Sequence, residues 1–143
     1  MNRYVIIVAG GKGLRMGSDL PKQFIPVGGK PILMHTVEKF AQWDPQARLL
    51  LVLPAEHQDY WRMLCREIGC RAAHRIVTGG ETRFHSVRNA LDVVKQDPDL
   101  GDDDLIAVHD GVRPFVSEKV ITDCFHVAAE SSAAVAALPM VDS

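Results

Sequence analysis

Short apolar runs separated by stretches with helical periodicity constrain the fold of this chain more than any other feature. The runs predict β-strands at 4–8, 48–53, 74–78, 105–109 and 133–138. Most of them are apolar at consecutive positions, which is typical of strands in a sheet covered by helices on both faces. The alternation therefore predicts an α/β fold with a mostly parallel sheet.

The stretches between the predicted strands indicate amphipathic helices, because their apolar residues recur at spacings of three and four. The residues of three such stretches are Tyr60, Leu64 and Ile68, then Phe84, Val87, Leu91 and Val94, and finally Ile121, Cys124, Phe125 and Ala128. Ser117 is suited to be the N-cap of the last of these helices. Pro31 is suited to the first position of a further helix that continues through about Gln42.

Composition narrows the class of protein. A chain of 143 residues is enough for one domain. Its net charge of −2 provides no global positive field for nucleic acid, so an anion site must be local. Three cysteines without CxxC spacing favour reduced thiols over a disulfide framework or a zinc site. The acidic run 95–104 predicts a solvated turn.

The two ends of the chain carry further expectations. The apolar run 4–8 is far too short for a signal sequence or a membrane span, which predicts a cytoplasmic protein with no membrane partner. The chain stops a few residues after the last predicted strand, with no helix to cover that strand. We therefore expect residues 1–143 to be one part of a single, longer domain.

A glycine-rich, cationic loop, "AGGKGLRMGSDLPKQF" (9–24), follows the first strand directly. It fails the dinucleotide-binding fingerprint because Met16 stands where the third glycine is required and Pro21 interrupts any helix. It also fails the Walker A pattern, since Lys12 is followed by Gly13 rather than by Ser or Thr. A different phosphate site or a flexible surface loop remains possible on these grounds.

A phosphate nest is the third interpretation of this loop. Its glycines allow backbone N–H groups to converge on an anion, and Arg15 and Lys22 supply positive charge. The loop also follows the carboxyl end of a strand, which is where open α/β sheets bind ligands.

The segment "VHDGVRPF" (108–115) places Asp110 just past the fourth predicted strand, followed by Gly111 and Arg113. A triphosphate needs a divalent cation and a carboxylate that holds it, and Asp110 falls at the required edge of the sheet. A simple turn or capping role is the alternative for this residue.

The segment "TGGETRFHSV" (78–87) is a third junction between a strand and a helix. Gly79 and Gly80 permit a close backbone approach, and Ser86 offers a hydroxyl group. The alternative is purely structural, with Glu81 or Thr82 capping the helix.

These three motifs resemble those of nucleotidyltransferases with a Rossmann-like fold. Gln23 after Pro21 and Lys22, together with "GGETRFHSV" and "HDGVRP", is similar to the cytidylyltransferase branch and within it to the 2-C-methyl-D-erythritol 4-phosphate cytidylyltransferases. The resemblance covers nearly the whole chain, and it implies that residues 1–143 are the nucleotide-binding part of a single nucleotidyltransferase domain. It implies transfer of CMP from CTP to 2-C-methyl-D-erythritol 4-phosphate, with release of pyrophosphate, in non-mevalonate isoprenoid precursor biosynthesis.

The resemblance also implies roles for the glycine loop. Arg15 and Lys22 would be the catalytic pair that stabilises charge on the α-phosphate. Gly10, Gly11 and Gly13 would cradle the triphosphate through their backbone N–H groups, and Ala9 would also contact the nucleotide.

The other two motifs would complete the nucleotide site. Gly79, Gly80 and Ser86 would recognise cytosine, and Glu81 stands in a supporting position where the family often has Asp. Gly111 would also contact the nucleotide.

Asp110 would be a ligand of Mg²⁺ or another divalent cation, and Arg113 would support the site. The implied partners are CTP and a polyol phosphate, and the implied assembly is a homodimer formed through residues beyond Ser143.

Two other functions share these motifs. One is a cytidylyltransferase acting on ribitol 5-phosphate or a similar polyol phosphate, since those proteins also carry the P-K-Q-F element. The other is a nucleotide-binding module without catalysis, although Arg15, Lys22 and Asp110 together favour α-phosphate chemistry over a sensor.

Overall fold

A computed structural model describes residues 2–9, 20–112 and 119, together with the backbone of 135–137. Several sequence predictions lie outside the described residues. They are the roles of Gly10, Gly11, Gly13, Arg15 and Arg113 and the helix expected after Ser117.

The described sheet has five strands, and every neighbouring pair is parallel. The strands are β1 (Arg3–Val8), β4 (Arg48–Leu53), β5 (Arg75–Thr78), β6 (Leu105–Asp110) and β7 (Val135–Ala137). Their order in space is β5-β4-β1-β6-β7, so the chain grows outward from β1 on one side and then on the other. This arrangement confirms the predicted α/β class and parallel sheet.

Within residues 20–112, three helices connect the strands from β1 to β6: α1 (Ile32–Trp43), α2 (Ala55–Ile68) and α3 (Arg83–Lys95). Helix α1 begins one residue later than predicted. Pro31 has an extended conformation (φ −56°, ψ 145°) and belongs to a short strand that precedes the helix. The sequence pattern therefore located the helix correctly and its first residue wrongly.

A small antiparallel hairpin lies before α1 and was absent from the prediction. It joins β2 (Pro26–Val27) to β3 (Lys30–Pro31) through Gly28 and Gly29, whose φ angles are 59° and 85°. Positive φ at both turn residues is the condition that diglycine satisfies without steric cost. The "PVGGKP" segment carried this signal in the sequence.

Alternate residues of the strands build two separate apolar layers. One face of the sheet packs against α1 and α2 through residues such as Ile7, Leu51 and Phe40. The other face packs against α3 through residues such as Ile6, Val52 and Val94. Both faces of β1 and β4 are therefore buried, which explains why these strands are apolar at nearly every position.

The acidic run 95–104 is not simply a solvated turn. Asp104 is only 8% exposed, and its carboxylate accepts hydrogen bonds from the backbone N–H groups of Asn2 (2.7 Å) and Gly101 (2.8 Å). Asp97 accepts hydrogen bonds from Tyr4 and Arg48. Two carboxylates of this run thus fasten β1 and β4 to the segment that follows α3, and the prediction of a solvated turn was wrong for them.

The pH dependence of stability tests the role of Asp104. Hydrogen bonds from the Gly101 and Asn2 backbones hold the pKa of this carboxyl below its usual value. Its stabilising contribution is therefore present above the unfolded-state pKa of about 3.9 and is lost as pH falls through the lower folded-state pKa. We expect Asp104→Asn to lower Tm near neutral pH and to differ less from wild type in acid.

Thermal unfolding followed by circular dichroism at several pH values measures this difference. Asp103→Asn, in an exposed position of the same turn, is the matched control. Equal Tm curves for the two variants would show that Asp104 has no special role.

Candidate functional site

The three sequence motifs meet at one edge of the sheet. Val8 pairs with Val52 of β4 and with Asp110 of β6, while Leu53 pairs with Thr78 at the end of β5. The strands are parallel, so all of these residues lie at the carboxyl edge. At about 4.8 Å per strand, the ends of β5 and β6 are roughly 14 Å apart across this edge.

Each junction is fixed by one more backbone hydrogen bond to the neighbouring strand. The bonds run from Ala9 N–H to the Val52 carbonyl (3.0 Å), from Gly79 N–H to the Leu53 carbonyl (2.9 Å) and from Gly111 N–H to the Val8 carbonyl (2.8 Å). These three N–H groups are therefore used within the fold. Any contact that Ala9, Gly79 or Gly111 makes with a nucleotide must involve other atoms.

Side-chain amides hold the carbonyl groups of the same edge. The donations are from Gln23 to Ala9 (3.1 Å), from Gln58 to Leu53 (3.1 Å) and from Asn89 to Thr78 (3.1 Å). Gln58 and Asn89 were not identified from the sequence, because an isolated amide on a helix has no distinctive pattern. Together these bonds fix the positions from which the three loops depart.

The diglycine junction is shaped by the first turn of α3. A Cβ atom on Gly80 would lie 2.4 Å from Cβ of His85, so only glycine fits without displacing the helix. Gly80 N–H donates to the hydroxyl oxygen of buried Ser86 (3.1 Å). The close backbone approach predicted for Gly80 is therefore made to the first turn of α3.

Thr82 is the N-cap of α3, which decides between the two capping candidates. Its hydroxyl oxygen accepts a hydrogen bond from the backbone N–H of His85 (3.2 Å), while the preceding Glu81 is exposed. Glu81 is therefore left to face solvent or a ligand at the edge.

Lys22 begins a single 3₁₀ turn, Lys22–Phe24, and is exposed while the next two residues are buried. The Phe24 ring packs edge-on against His57 (5.6 Å between centroids) and Tyr60 (5.0 Å). Gln23 contacts Ala9 at the end of β1. The chain therefore returns to the carboxyl edge at Lys22, as the sequence interpretation required.

Asp110 is the last residue of β6. The sequence pattern predicts a position for it just past the end of that strand. Its Oδ1 accepts a hydrogen bond from Val112 N–H (3.1 Å), and the residue is partly exposed. One carboxylate oxygen thus shapes the turn, and the other accepts no hydrogen bond from the described residues.

Gly111 is buried under α1. A Cβ atom there would lie 2.9 Å from Leu33 Cδ1 and 3.1 Å from Ala9 Cβ. The Thr36 hydroxyl donates to the Gly111 carbonyl (2.7 Å). This glycine therefore has a packing role that joins α1 to the end of β6, and its proposed nucleotide contact stays a prediction.

A divalent cation is compatible with this edge. Asp110 offers a hard oxygen ligand, and Mg²⁺ commonly takes one or two protein carboxylates and completes its shell with phosphate oxygens and water. Within the described parts of the chain, no group of three or more His, Cys, Asp or Glu side chains could hold a metal alone. The chemistry of Asp110 thus fits a metal that arrives with a phosphate ligand.

A parallel sheet with helices on both faces and its loops gathered at the carboxyl edge defines a doubly wound α/β fold. The family model "IspD: 2-C-methyl-D-erythritol 4-phosphate cytidylyltransferase" matches residues 4–143. The chain belongs to this family.

Named relatives agree with this assignment. The chain is 53% identical over 143 residues to 2-C-methyl-D-erythritol 4-phosphate cytidylyltransferase of Bacteroides thetaiotaomicron, covering all of this chain and 63% of the relative. It is 50% identical over 141 residues to the protein of that name from Porphyromonas gingivalis, covering 99% of this chain and 60% of the relative. The chain thus spans about three fifths of the length of these relatives.

Solved structures show the same fold. The 2-C-methyl-D-erythritol 4-phosphate cytidylyltransferase of Francisella tularensis is 32% identical, with a TM-score of 0.64 over 90% of this chain and 52% of that one. The 4-diphosphocytidyl-2C-methyl-D-erythritol synthase of Anaerococcus prevotii is 26% identical, with a TM-score of 0.67 over 90% of this chain and 51% of that one. Across the described residues, no helix has the length and apolar character needed to cross a membrane.

Substitution of Gly80 tests the packing of the diglycine junction. We expect Gly80→Ala to cost about 1–3 kcal/mol of folding free energy, because the new methyl group overpacks the start of α3. Gly101→Ala is the control, since its nearest contact would be an ordinary 3.8 Å. Denaturant unfolding measures both variants, and equal midpoints would contradict the steric account.

Proposed function

We propose that the protein containing this chain transfers CMP from CTP to 2-C-methyl-D-erythritol 4-phosphate and releases pyrophosphate, a step of non-mevalonate isoprenoid precursor biosynthesis. The family match over residues 4–143 is the observation that carries this proposal. The gathering of the three motifs at the carboxyl edge supports it, because that edge is where such a fold binds nucleotides.

In this reaction, a phosphate oxygen of the acceptor attacks the α-phosphorus of CTP. A new phosphorus–oxygen bond forms, the bond to the β-phosphate breaks, and pyrophosphate leaves with the electron pair. The nucleophile is already an anion at neutral pH, so no general base is required. Catalysis then consists of positioning and of stabilising charge that grows in the transition state.

Lys22 and Arg15 are the cations that we assign to the α-phosphate. The exposed position of Lys22 on a turn with buried neighbours supports this role, since the ammonium group faces solvent while its backbone is fixed. Arg15 lies outside the described residues, and its assignment is a proposal from the motif. The same holds for the triphosphate contacts of Gly10, Gly11 and Gly13 and for the support from Arg113.

Cytosine recognition is assigned to the diglycine junction. The N–H groups of Gly79 and Gly80 already donate hydrogen bonds within the protein. The carbonyl oxygens of these two residues are therefore the backbone groups that they can offer to a ligand. The exocyclic N4 amino group of cytosine is a hydrogen-bond donor and would match these acceptors. Ser86, whose oxygen accepts from Gly80, keeps these carbonyls in place.

Asp110 would hold a divalent cation such as Mg²⁺. When bound, the metal would neutralise charge on the triphosphate. Asp110 itself contributes a carboxylate oxygen at the end of β6, beside the start of the glycine loop after β1.

The proposal also includes a cytoplasmic homodimer. Cys65 and Cys70 are free thiols, which agrees with a reducing compartment. The dimer rests on the family resemblance alone, and sedimentation of the full-length product measures it.

Pyrophosphate release tests the acceptor. We expect the full-length product of the gene, supplied with CTP and Mg²⁺, to release pyrophosphate with 2-C-methyl-D-erythritol 4-phosphate and much more slowly with ribitol 5-phosphate. The reverse preference would assign the other polyol phosphate. No release with either acceptor would favour a nucleotide-binding module.

Removal of the Lys22 ammonium tests the catalytic assignment. We expect Lys22→Ala to lower kcat about 100-fold, or roughly 3 kcal/mol, as loss of one transition-state donor commonly does. Lys95→Ala, at the end of α3 and on the opposite edge of the sheet, is the control. Near-native turnover by Lys22→Ala would refute the role of this residue.

A further inference from the structure

We propose that Gln23 is a positioning residue that fixes Lys22 against the end of β1, with His57 as the second partner of its amide. The inference rests on the proposed function, in which Lys22 acts on the α-phosphate. It assigns a role to a side chain that neither contacts solvent nor carries charge.

The orientation of the Gln23 amide follows from its contacts. Nε2 lies 3.1 Å from the carbonyl oxygen of Ala9, and a carbonyl can only accept a hydrogen bond. The amide nitrogen, rather than the amide oxygen, must therefore face Ala9. Gln23 thus joins the 3₁₀ turn to Ala9, the first residue of the glycine loop.

The second contact determines the state of His57. Gln23 Nε2 lies 3.2 Å from His57 Nδ1, and an amide nitrogen can only donate. Nδ1 therefore accepts, and the imidazole carries its proton on Nε2. Both N–H groups of the amide are used, one toward β1 and one toward the first turn of α2.

Because Gln23 is buried, the loss of either of these two hydrogen bonds is costly. Gln23 is 1% exposed, so a lost partner is not replaced by water. The turn that it anchors is a single 3₁₀ turn with bonds from Phe24 N–H to Pro21 and from Ile25 N–H to Lys22. Such a short turn has little stability of its own, and its side-chain anchors determine where it lies.

Lys22 is the residue whose position these anchors control. Its flexible side chain begins on the turn, one residue before Gln23, and is exposed. A shift of the turn would move the start of that side chain relative to the end of β1. Displacements of about 1 Å at a reacting centre can cost on the order of 100-fold in rate.

A double-mutant cycle tests the proposal, with kcat, KM for CTP and Tm measured on the full-length product of the gene. The four proteins are wild type, Lys22→Ala, Gln23→Met and the double variant. Met keeps the length of the side chain and removes both donors. We expect Gln23→Met to lower kcat about tenfold, and to change it less than about twofold when Lys22 is already Ala.

The outcomes separate this inference from the proposed function. If Lys22→Ala retains wild-type kcat, the assigned role of Lys22 fails and the positioning role fails with it. If Lys22→Ala is slow but Gln23→Met is fast, only the positioning role is overturned. Equal effects of Gln23→Met in both backgrounds would likewise reduce Gln23 to a structural residue.

Substitutions at His57 keep the test decisive if Gln23→Met does not fold. His57→Asn can present an amide oxygen near the former Nδ1 position, whereas His57→Leu removes the acceptor. We expect His57→Asn to retain several-fold more kcat than His57→Leu, and the two to be equal when Lys22 is Ala. Equal kcat of the two variants with Lys22 present would overturn the proposal.

Discussion

The parallel hydrogen-bond ladders on the two sides of β1 (Arg3–Val8) determine the positions of the neighbouring strands and of the loops that follow them. This strand pairs with β4 on one side and with β6 on the other, and its side chains are buried on both faces. A shift of one residue in its register would turn every side chain to the opposite layer, so the two apolar cores fix the register strongly. The register in turn aligns the ends of the strands.

That alignment creates a division of roles at the carboxyl edge. The N–H groups of Ala9, Gly79 and Gly111 extend the ladder, and side-chain amides satisfy the carbonyls of Ala9, Leu53 and Thr78. These backbone groups at the edge are thus already paired within the protein. What the edge leaves for a ligand are the carbonyl oxygens of Gly79 and Gly80 and side chains such as Lys22 and Asp110.

The α/β class, the parallel sheet and the three junctions were predictable because each depends on a local pattern. Continuous apolar runs reflect burial on both faces, and glycine or Asp110 immediately after a run marks the carboxyl edge. The same reasoning located Lys22 near the end of β1, since Pro21 prevents a helix from continuing the loop.

Contacts that depend on the folded course of the backbone were not predictable. Asp104 looked like part of a solvated acidic run, yet it binds the backbone of Asn2 at the start of β1. The roles of Gln58 and Asn89 depend on which carbonyl the fold brings beside them. The need for glycine at position 80 comes from His85 on the next helix, a contact that no local pattern reveals.

Binding of CTP at the carboxyl edge is tested most directly by mapping of amide chemical shifts by NMR. CTP with Mg²⁺ would be titrated into the isotope-labelled, full-length product of the gene. The expected result is that the largest shifts fall at Ala9, Gly80, Glu81 and Val112, while amides near the opposite edge, such as those of Arg48 and Asp97, stay unchanged. Shifts confined to the opposite edge, or none at saturating CTP, would contradict the claim.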